Sequence, residues 1–261
     1  MKSDADSSDQ FQLGLALAIA AGGLVVGIIL SAFVGALVIA TGDYLFDVPG
    51  GPGAALGRAV AQDALSVPIE TRVIPLSLVA LLQVPLWVGL VGAPLLASKL
   101  FGEDLFDGLK LRFRRSDIPT GLAIGAAAQL IAVPAIYLPL FKLLGERDLS
   151  ADARSLTDRA NDPLGIVILV LVVVVGAPVV EEIFFRGFLQ TTLERRIGSR
   201  GAWLIASAVF AVVHFQVLQF PALFMFGLLA GFIYNKYDRL GPAIWTHVGF
   251  NAVTVMYLVF L

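Results

Sequence analysis

Two adjacent glutamates, Glu181 and Glu182, lie inside an apolar stretch that is long enough to cross a membrane. Uncharged residues 164–180 precede them, and two phenylalanines and an isoleucine separate them from the single cation Arg186. A charge near the centre of a bilayer costs about 2.5 kcal/mol or more, so an ionisable side chain there indicates a functional site. The fold of this chain must therefore supply partners for both carboxylates.

The composition is that of a polytopic membrane protein. Hydrophobic residues make up 58% of the 261 residues and charged residues only 15%, whereas soluble domains carry roughly 25% charged residues. The net charge of -2 argues against a nucleic-acid partner, and the absence of cysteine excludes disulfides and cysteine chemistry.

A span needs about 20 apolar residues, which predicts an all-α bundle of about seven transmembrane helices. The predicted spans are Phe11–Gly42, Val73–Ser98, Ile118–Phe141, Leu164 through the glutamates toward Leu189, two within Gly201–Asn235, and Leu240–Leu261.

These spans divide the chain into three regions. Residues 1–10 are polar and predict a cytoplasmic tail, residues 11–142 predict three N-terminal helices with polar loops, and residues 164–261 predict a four-helix catalytic domain. The two longest polar loops are Asp43–Arg72 and Leu143–Pro163. Small residues at helical spacing predict close helix contacts; they are Gly22, Gly23 and Gly27 in the first span, and Gly227 with Gly231.

Basic residues predict the orientation in the membrane. With the N-terminus inside, the cytoplasmic segments hold twelve lysines and arginines and the outer segments hold six. Positive charge favours the cytoplasmic side, and the cluster from Lys110 to Arg115 contributes most to this bias. We therefore expect a plasma-membrane protein with a cytoplasmic N-terminus and an outer C-terminus.

Three residue pairs have the four-residue spacing that places side chains on one helix face. They are Glu182 with Arg186, Phe210 with His214, and His247 with Asn251. Arg186 is expected to neutralise Glu182, because a buried ion pair is tolerable when both groups are satisfied. Glu181 lies about 100° around the helix and is expected to face a different cavity.

The only two histidines, His214 and His247, both fall within predicted spans that follow the glutamates. Counted at 1.5 Å per residue, His214 lies roughly 17 Å from the cytoplasmic end of its span and Glu181 roughly 12–18 Å from the end of its own. These similar depths predict one cavity, open to the cytoplasm, in which the three elements meet.

The three motifs, in this order, resemble those of the CAAX-protease and bacteriocin-processing family of intramembrane endopeptidases, which is related to the Ras-converting prenyl protease. The resemblance covers about residue 164 to the C-terminus, and no motif position departs from the pattern. It implies a helical intramembrane fold and hydrolysis of a peptide bond. The first three spans match only in being hydrophobic, so they do not indicate the substrate.

The resemblance also implies a role for each residue. Glu181 and His214 would position and activate water, and His247 with Asn251 would stabilise the oxyanion, a role that suits Asn and His side chains. Glu182 and Arg186 would support the site, and Phe210 would either wall the pocket under His214 or serve packing alone.

Two questions stay open at the level of sequence. Two histidines and a glutamate also form open zinc sites, so zinc held by Glu181, His214 and His247 is the alternative to the favoured cofactor-free mechanism. The usual His-Glu-x-x-His helix of zinc proteases is absent. The rival functions are a non-catalytic membrane scaffold or immunity protein of the same fold, and a proton-coupled transporter. The expected partners are the bilayer and a membrane-associated protein or peptide, whose identity and prenylation the sequence does not reveal.

Overall fold

A computed structural model describes residues 2–46, 76–102, 104–145, 147–160 and 162–260. The predicted loop Asp43–Arg72 and the first residues of the predicted span Val73–Ser98 lie almost entirely outside these ranges. Within them the chain is helical and contains no strand, as the composition predicted. The helices are α1 Lys2–Phe46, α2 Leu76–Phe101, α3 Leu105–Gly108, α4 Asp117–Leu144, α5 Ala151–Thr157, α6 Pro163–Val212, α7 Phe220–Tyr237 and α8 Leu240–Phe260.

Five of these helices are long and apolar enough to cross a membrane: α1, α2, α4, α6 and α8. The 50-residue helix α6 is broken at Gly198, whose φ of 74° only glycine adopts readily. This break divides α6 into a first limb and a second limb. With the 18-residue helix α7, the two limbs bring the described spans to about seven, as predicted.

Residues 2–10, predicted as a polar tail, continue helix α1 without interruption. The two spans predicted within Gly201–Asn235 are separate helical segments, because α6 ends at Val212 and α7 begins at Phe220.

Glycines set the closest helix contacts. A Cβ on Gly23 would lie 2.6 Å from the Gly89 carbonyl oxygen of α2, and a Cβ on Gly27 would lie 3.0 Å from that of Leu86. Gly22 has no neighbour there within 4 Å among the described residues. The predicted small-residue contact of α1 is therefore confirmed for Gly23 and Gly27.

Glycines also allow α7 to pack closely against the second limb of α6. A Cβ on Gly227 would lie 3.0 Å from Cβ of Ser207, and one on Gly231 would lie 2.6 Å from the Trp203 ring. Trp203 also donates from Nε1 to the Leu228 carbonyl at 2.7 Å. Both predicted glycine contacts in α7 are thus present.

Helix α8, which carries His247 and Asn251, rests on α4 with almost no side chain between the two backbones. A Cβ on Gly125 would overlap the Thr246 carbonyl oxygen and lie 2.6 Å from the Phe250 nitrogen. At the end of this contact, the Arg239 guanidinium bonds both carboxylate oxygens of Asp117, at 2.6 and 3.2 Å. Helix α4 therefore fixes the position of α8.

Candidate active site

Glu181 and Glu182 end a short α-helical segment, Ala177–Glu182, that lies between two π-helical segments of α6. The π-helical segments are Val170–Gly176 and Ile183–Gln190. A π-helical turn holds an extra residue and is frequent at functional sites. Its wider turn leaves carbonyls without their usual partner, and the hydroxyl of Thr191 donates to the Arg186 carbonyl at 3.2 Å.

Glu182 is completely buried and joins two other elements of the site. Its Oε2 lies 3.2 Å from Nε of Arg186, which confirms the predicted ion pair. Its Oε1 lies 2.9 Å from Nδ1 of His247 on α8. Because a carboxylate only accepts hydrogen bonds, Nδ1 of His247 carries the hydrogen. Glu182 thereby fixes the orientation of this imidazole, which the helical spacing did not predict.

Arg186 is likewise buried, with 1% of its side chain exposed. Its Nη2 donates to the Gly227 carbonyl of α7 at 3.2 Å, and its guanidinium carbon lies 4.6 Å from the centre of the Phe210 ring. A guanidinium over an aromatic face is an attractive arrangement. Arg186 thus holds the first limb of α6 against α7 and Phe210.

Glu181 faces both histidines. Its Oε2 lies 3.9 Å from Nε2 of His214 and 3.9 Å from Nε2 of His247. The side chain is 20% exposed, whereas that of Glu182 is not exposed at all. The structure therefore brings Glu181 together with both histidines. However, Glu182 also contacts His247, so the two glutamates do not face separate cavities as the helical angle suggested.

His214 lies just past the end of helix α6, in the turn that follows Val212, and not within a span as predicted. Its Nδ1 lies 2.6 Å from the Phe210 carbonyl oxygen. A carbonyl only accepts, so this nitrogen donates and Nε2 is directed toward Glu181. About a quarter of the His214 side chain is exposed, which makes this the more open side of the site.

Phe210 is buried beneath the two imidazoles. Its ring centre lies 4.6 Å from that of His214 and 5.9 Å from that of His247. Phe226 of α7 also contacts His247, with ring centres 4.5 Å apart. Phe210 is thus a packed core residue that contacts both imidazoles.

Asn251 lies one helical turn beyond His247 on α8, on the same face. Its Nδ2 donates to the Val173 carbonyl at 2.8 Å, within the first π-helical segment. This bond uses one of the two amide hydrogens. It links α8 to the turn that precedes the glutamates.

The described residues contain no cluster of three or more His, Cys, Asp or Glu side chains with an arrangement suited to a metal ion. The ring nitrogens of His214 and His247 that could bind zinc are their Nε2 atoms, because both Nδ1 atoms hydrogen-bond to oxygens. Each lies 3.9 Å from the same Glu181 oxygen.

Comparisons with known proteins agree with the motif analysis. The family model described as type II CAAX prenyl endopeptidase Rce1-like matches residues 163–253. This segment contains all three motifs and excludes α1, α2 and α4. No curated protein and no solved structure matches the chain. The match confirms the predicted resemblance: the segment 163–253, which carries every candidate site residue, is similar to the Rce1-like CAAX prenyl endopeptidases.

Proposed function

We propose that this chain is an intramembrane endopeptidase that hydrolyses a peptide bond of a membrane-associated protein or peptide. The observation that carries the proposal is the position of Glu181, whose Oε2 lies 3.9 Å from Nε2 of both His214 and His247. The Rce1-like match of residues 163–253 supports the same class of reaction.

The spacing of these three groups suits a water molecule as the nucleophile. A separation of 3.9 Å is too long for a direct hydrogen bond, and polar groups at such separations are commonly bridged by water. Glu181 takes a proton from this water, whose oxygen attacks the carbonyl carbon of the substrate. The C–N bond then breaks as the leaving nitrogen takes the proton from the Glu181 carboxyl group.

His247 and Asn251 are proposed to stabilise the negative charge that develops on the substrate oxygen. Nδ1 of His247 already donates to Glu182, so Nε2 donates to the oxyanion only when the ring carries both protons. Asn251 retains one amide hydrogen beyond its bond to Val173, which suits an oxyanion donor.

The proposed mechanism uses no cofactor, and zinc bound by Glu181, His214 and His247 is the alternative. Prolonged treatment of the purified protein with a strong chelator separates the two. The cofactor-free mechanism predicts full retained activity, and loss of activity that added zinc restores would support the metal site.

The chain is an integral membrane protein, and we propose the plasma membrane with the N-terminus in the cytoplasm. A protease-accessibility assay on tags at the two termini tests this orientation. The N-terminal tag should be cleaved only after the membrane is permeabilised, and the C-terminal tag in intact cells.

The test of function is a search for the products of cleavage. Membranes from cells that produce the wild type, Glu181→Gln or Glu194→Gln are compared by mass spectrometry of newly formed peptide termini. Glu194 lies further along α6 and takes no part in the site, so its variant is the matched control. Termini that appear with the wild type and Glu194→Gln, but not with Glu181→Gln, would identify substrates.

The same variants distinguish the rival functions. A scaffold or immunity protein should retain its cellular role in Glu181→Gln and produce no new termini. A proton-coupled transporter should show pH-dependent substrate flux in liposomes, which an endopeptidase does not require.

A further inference from the structure

A cavity lies beside the part of α6 that follows Arg186. It has a volume of about 730 Å³ and is lined by residues of α1, α2, α3 and α6. None of the residues proposed for proteolysis lines it. The volume falls within the range of about 300–1,000 Å³ that is typical of ligand pockets. The cavity therefore has the size of a binding site and is separate from the one described above.

Part of the cavity wall is apolar. It is formed by Leu13, Ala16, Ala97, Phe101, Leu109 and Phe188, whereas Gln10, Gln12 and Ser98 add polar groups elsewhere in the lining. Four of these side chains are buried, with Ala97 only 3% exposed. These residues come from three membrane-spanning helices and from the segment after α3. An acyl chain fits such a wall, because it removes further apolar surface from water.

The rim of the cavity is polar and carries a positive charge. Arg195 and Arg196 are exposed at the rim, and Thr192 lies one turn before Arg196 on α6. The one carboxylate among the lining residues is Asp104, whose Oδ1 accepts a hydrogen bond from the Asp107 amide at 2.9 Å. The exposed guanidinium of Arg196 therefore places a positive charge beside the cavity, where it can attract an anion.

The cavity lies at the membrane face that the charge bias predicts to be cytoplasmic. Basic pockets between membrane-spanning helices on that side bind the headgroups of anionic lipids. A phospholipid matches both parts of the lining. Its phosphate complements the basic rim, and its acyl chain complements the apolar wall. We propose that this cavity is a binding site for an anionic phospholipid.

The test uses delipidated full-length protein in a neutral detergent. Phosphatidylglycerol is titrated, with phosphatidylcholine and inorganic phosphate as parallel arms, and the bound lipid is counted by native mass spectrometry. A ligand that binds only the folded protein also raises its unfolding temperature. Phosphatidylglycerol should bind and stabilise the protein more strongly than phosphatidylcholine, and inorganic phosphate should not reproduce the effect.

Two variants locate the site, and a third is the control. Arg196→Gln removes a rim charge from an exposed position, so the protein should still fold. It should weaken phosphatidylglycerol binding about fivefold, since one arginine near anionic lipid is worth about 1 kcal/mol. Ala97→Phe places a ring against the apolar wall and should abolish binding of the specific lipid. Arg200→Gln removes an exposed charge outside the cavity and should bind like the wild type.

Three results would overturn the proposal. The first is equal binding of the two phospholipids, and the second is equal stabilisation by inorganic phosphate alone. The third is a set of variants in which Arg196→Gln binds as tightly as Arg200→Gln. Because proteolysis is not among these readouts, the outcome does not depend on the proposed function.

Discussion

Substitution of Glu182 should lower the stability of the protein much more than substitution of the adjacent Glu181. Glu182 is fully buried, with Arg186 at 3.2 Å and His247 at 2.9 Å. Glu182→Gln leaves the Arg186 charge buried without its counter-charge, a change that typically costs about 3–5 kcal/mol. Glu181 is partly exposed and, among the described residues, lies no closer than 3.9 Å to a charged partner. Glu181→Gln should therefore change the free energy of unfolding by about 1 kcal/mol or less.

The assay is equilibrium unfolding in mixed micelles, followed by the loss of helical circular dichroism as a denaturing detergent is added. A double variant, Glu182→Leu with Arg186→Met, provides the control. Replacing both members of a buried ion pair with apolar residues is often close to neutral, so the double variant should be more stable than Glu182→Gln. Equal destabilisation by Glu181→Gln and Glu182→Gln would contradict this expectation, and so would a double variant that is the least stable of the three.

Three further predictions concern helix contacts and the cofactor. Gly125→Leu should lower the free energy of unfolding by about 3 kcal/mol, because its side chain would overlap the backbone of α8 at Thr246; unchanged thermal unfolding would contradict this. Asp117→Asn should lower the free energy of unfolding by about 2 kcal/mol, because it weakens the charged hydrogen bonds from Arg239. The control Asp158→Asn, at an exposed position, should leave the free energy of unfolding almost unchanged. Chelation should leave proteolysis intact, and a loss that only zinc restores would favour the metal alternative.

The parts of the site that follow from helical periodicity were predictable from sequence. Glu182 and Arg186 are four residues apart and form the predicted ion pair. Phe210 and His214 also share a face, although His214 lies past the end of the helix. A spacing of four residues determines which side chains are neighbours on one helix, and this rule does not depend on how the helices pack.

The contacts between helices could not be predicted in the same way. The bond from His247 to Glu182 depends on how α8 is rotated against α6, and α8 is held in place by the glycine contact with α4. The sequence carries no pairing signal for that contact. The π-helical segments Val170–Gly176 and Ile183–Gln190 were also not predicted, because hydrophobic periodicity over a uniformly apolar stretch does not distinguish π-helical from α-helical turns.

The cavity beside α6 could not be predicted from sequence for a related reason. Its walls come from residues far apart in the chain, from Leu13 in α1 to Arg196 in α6. In the sequence, Arg195 and Arg196 are recognisable only as positive charges that favour the cytoplasmic side of the membrane. Their position beside an apolar wall became visible only when α1 and α2 were placed against α6.

We propose that Glu181 is the base that activates water for peptide hydrolysis. The most direct test is cleavage of an identified substrate by purified protein in liposomes, with the wild type, Glu181→Gln and the control Glu194→Gln compared at equal folded concentration. Loss of general-base catalysis typically costs a factor of about 10²–10⁴. We expect the kcat of Glu181→Gln to fall by at least this factor and Glu194→Gln to cleave the substrate at the wild-type rate. Turnover by Glu181→Gln at the wild-type rate would contradict this proposal.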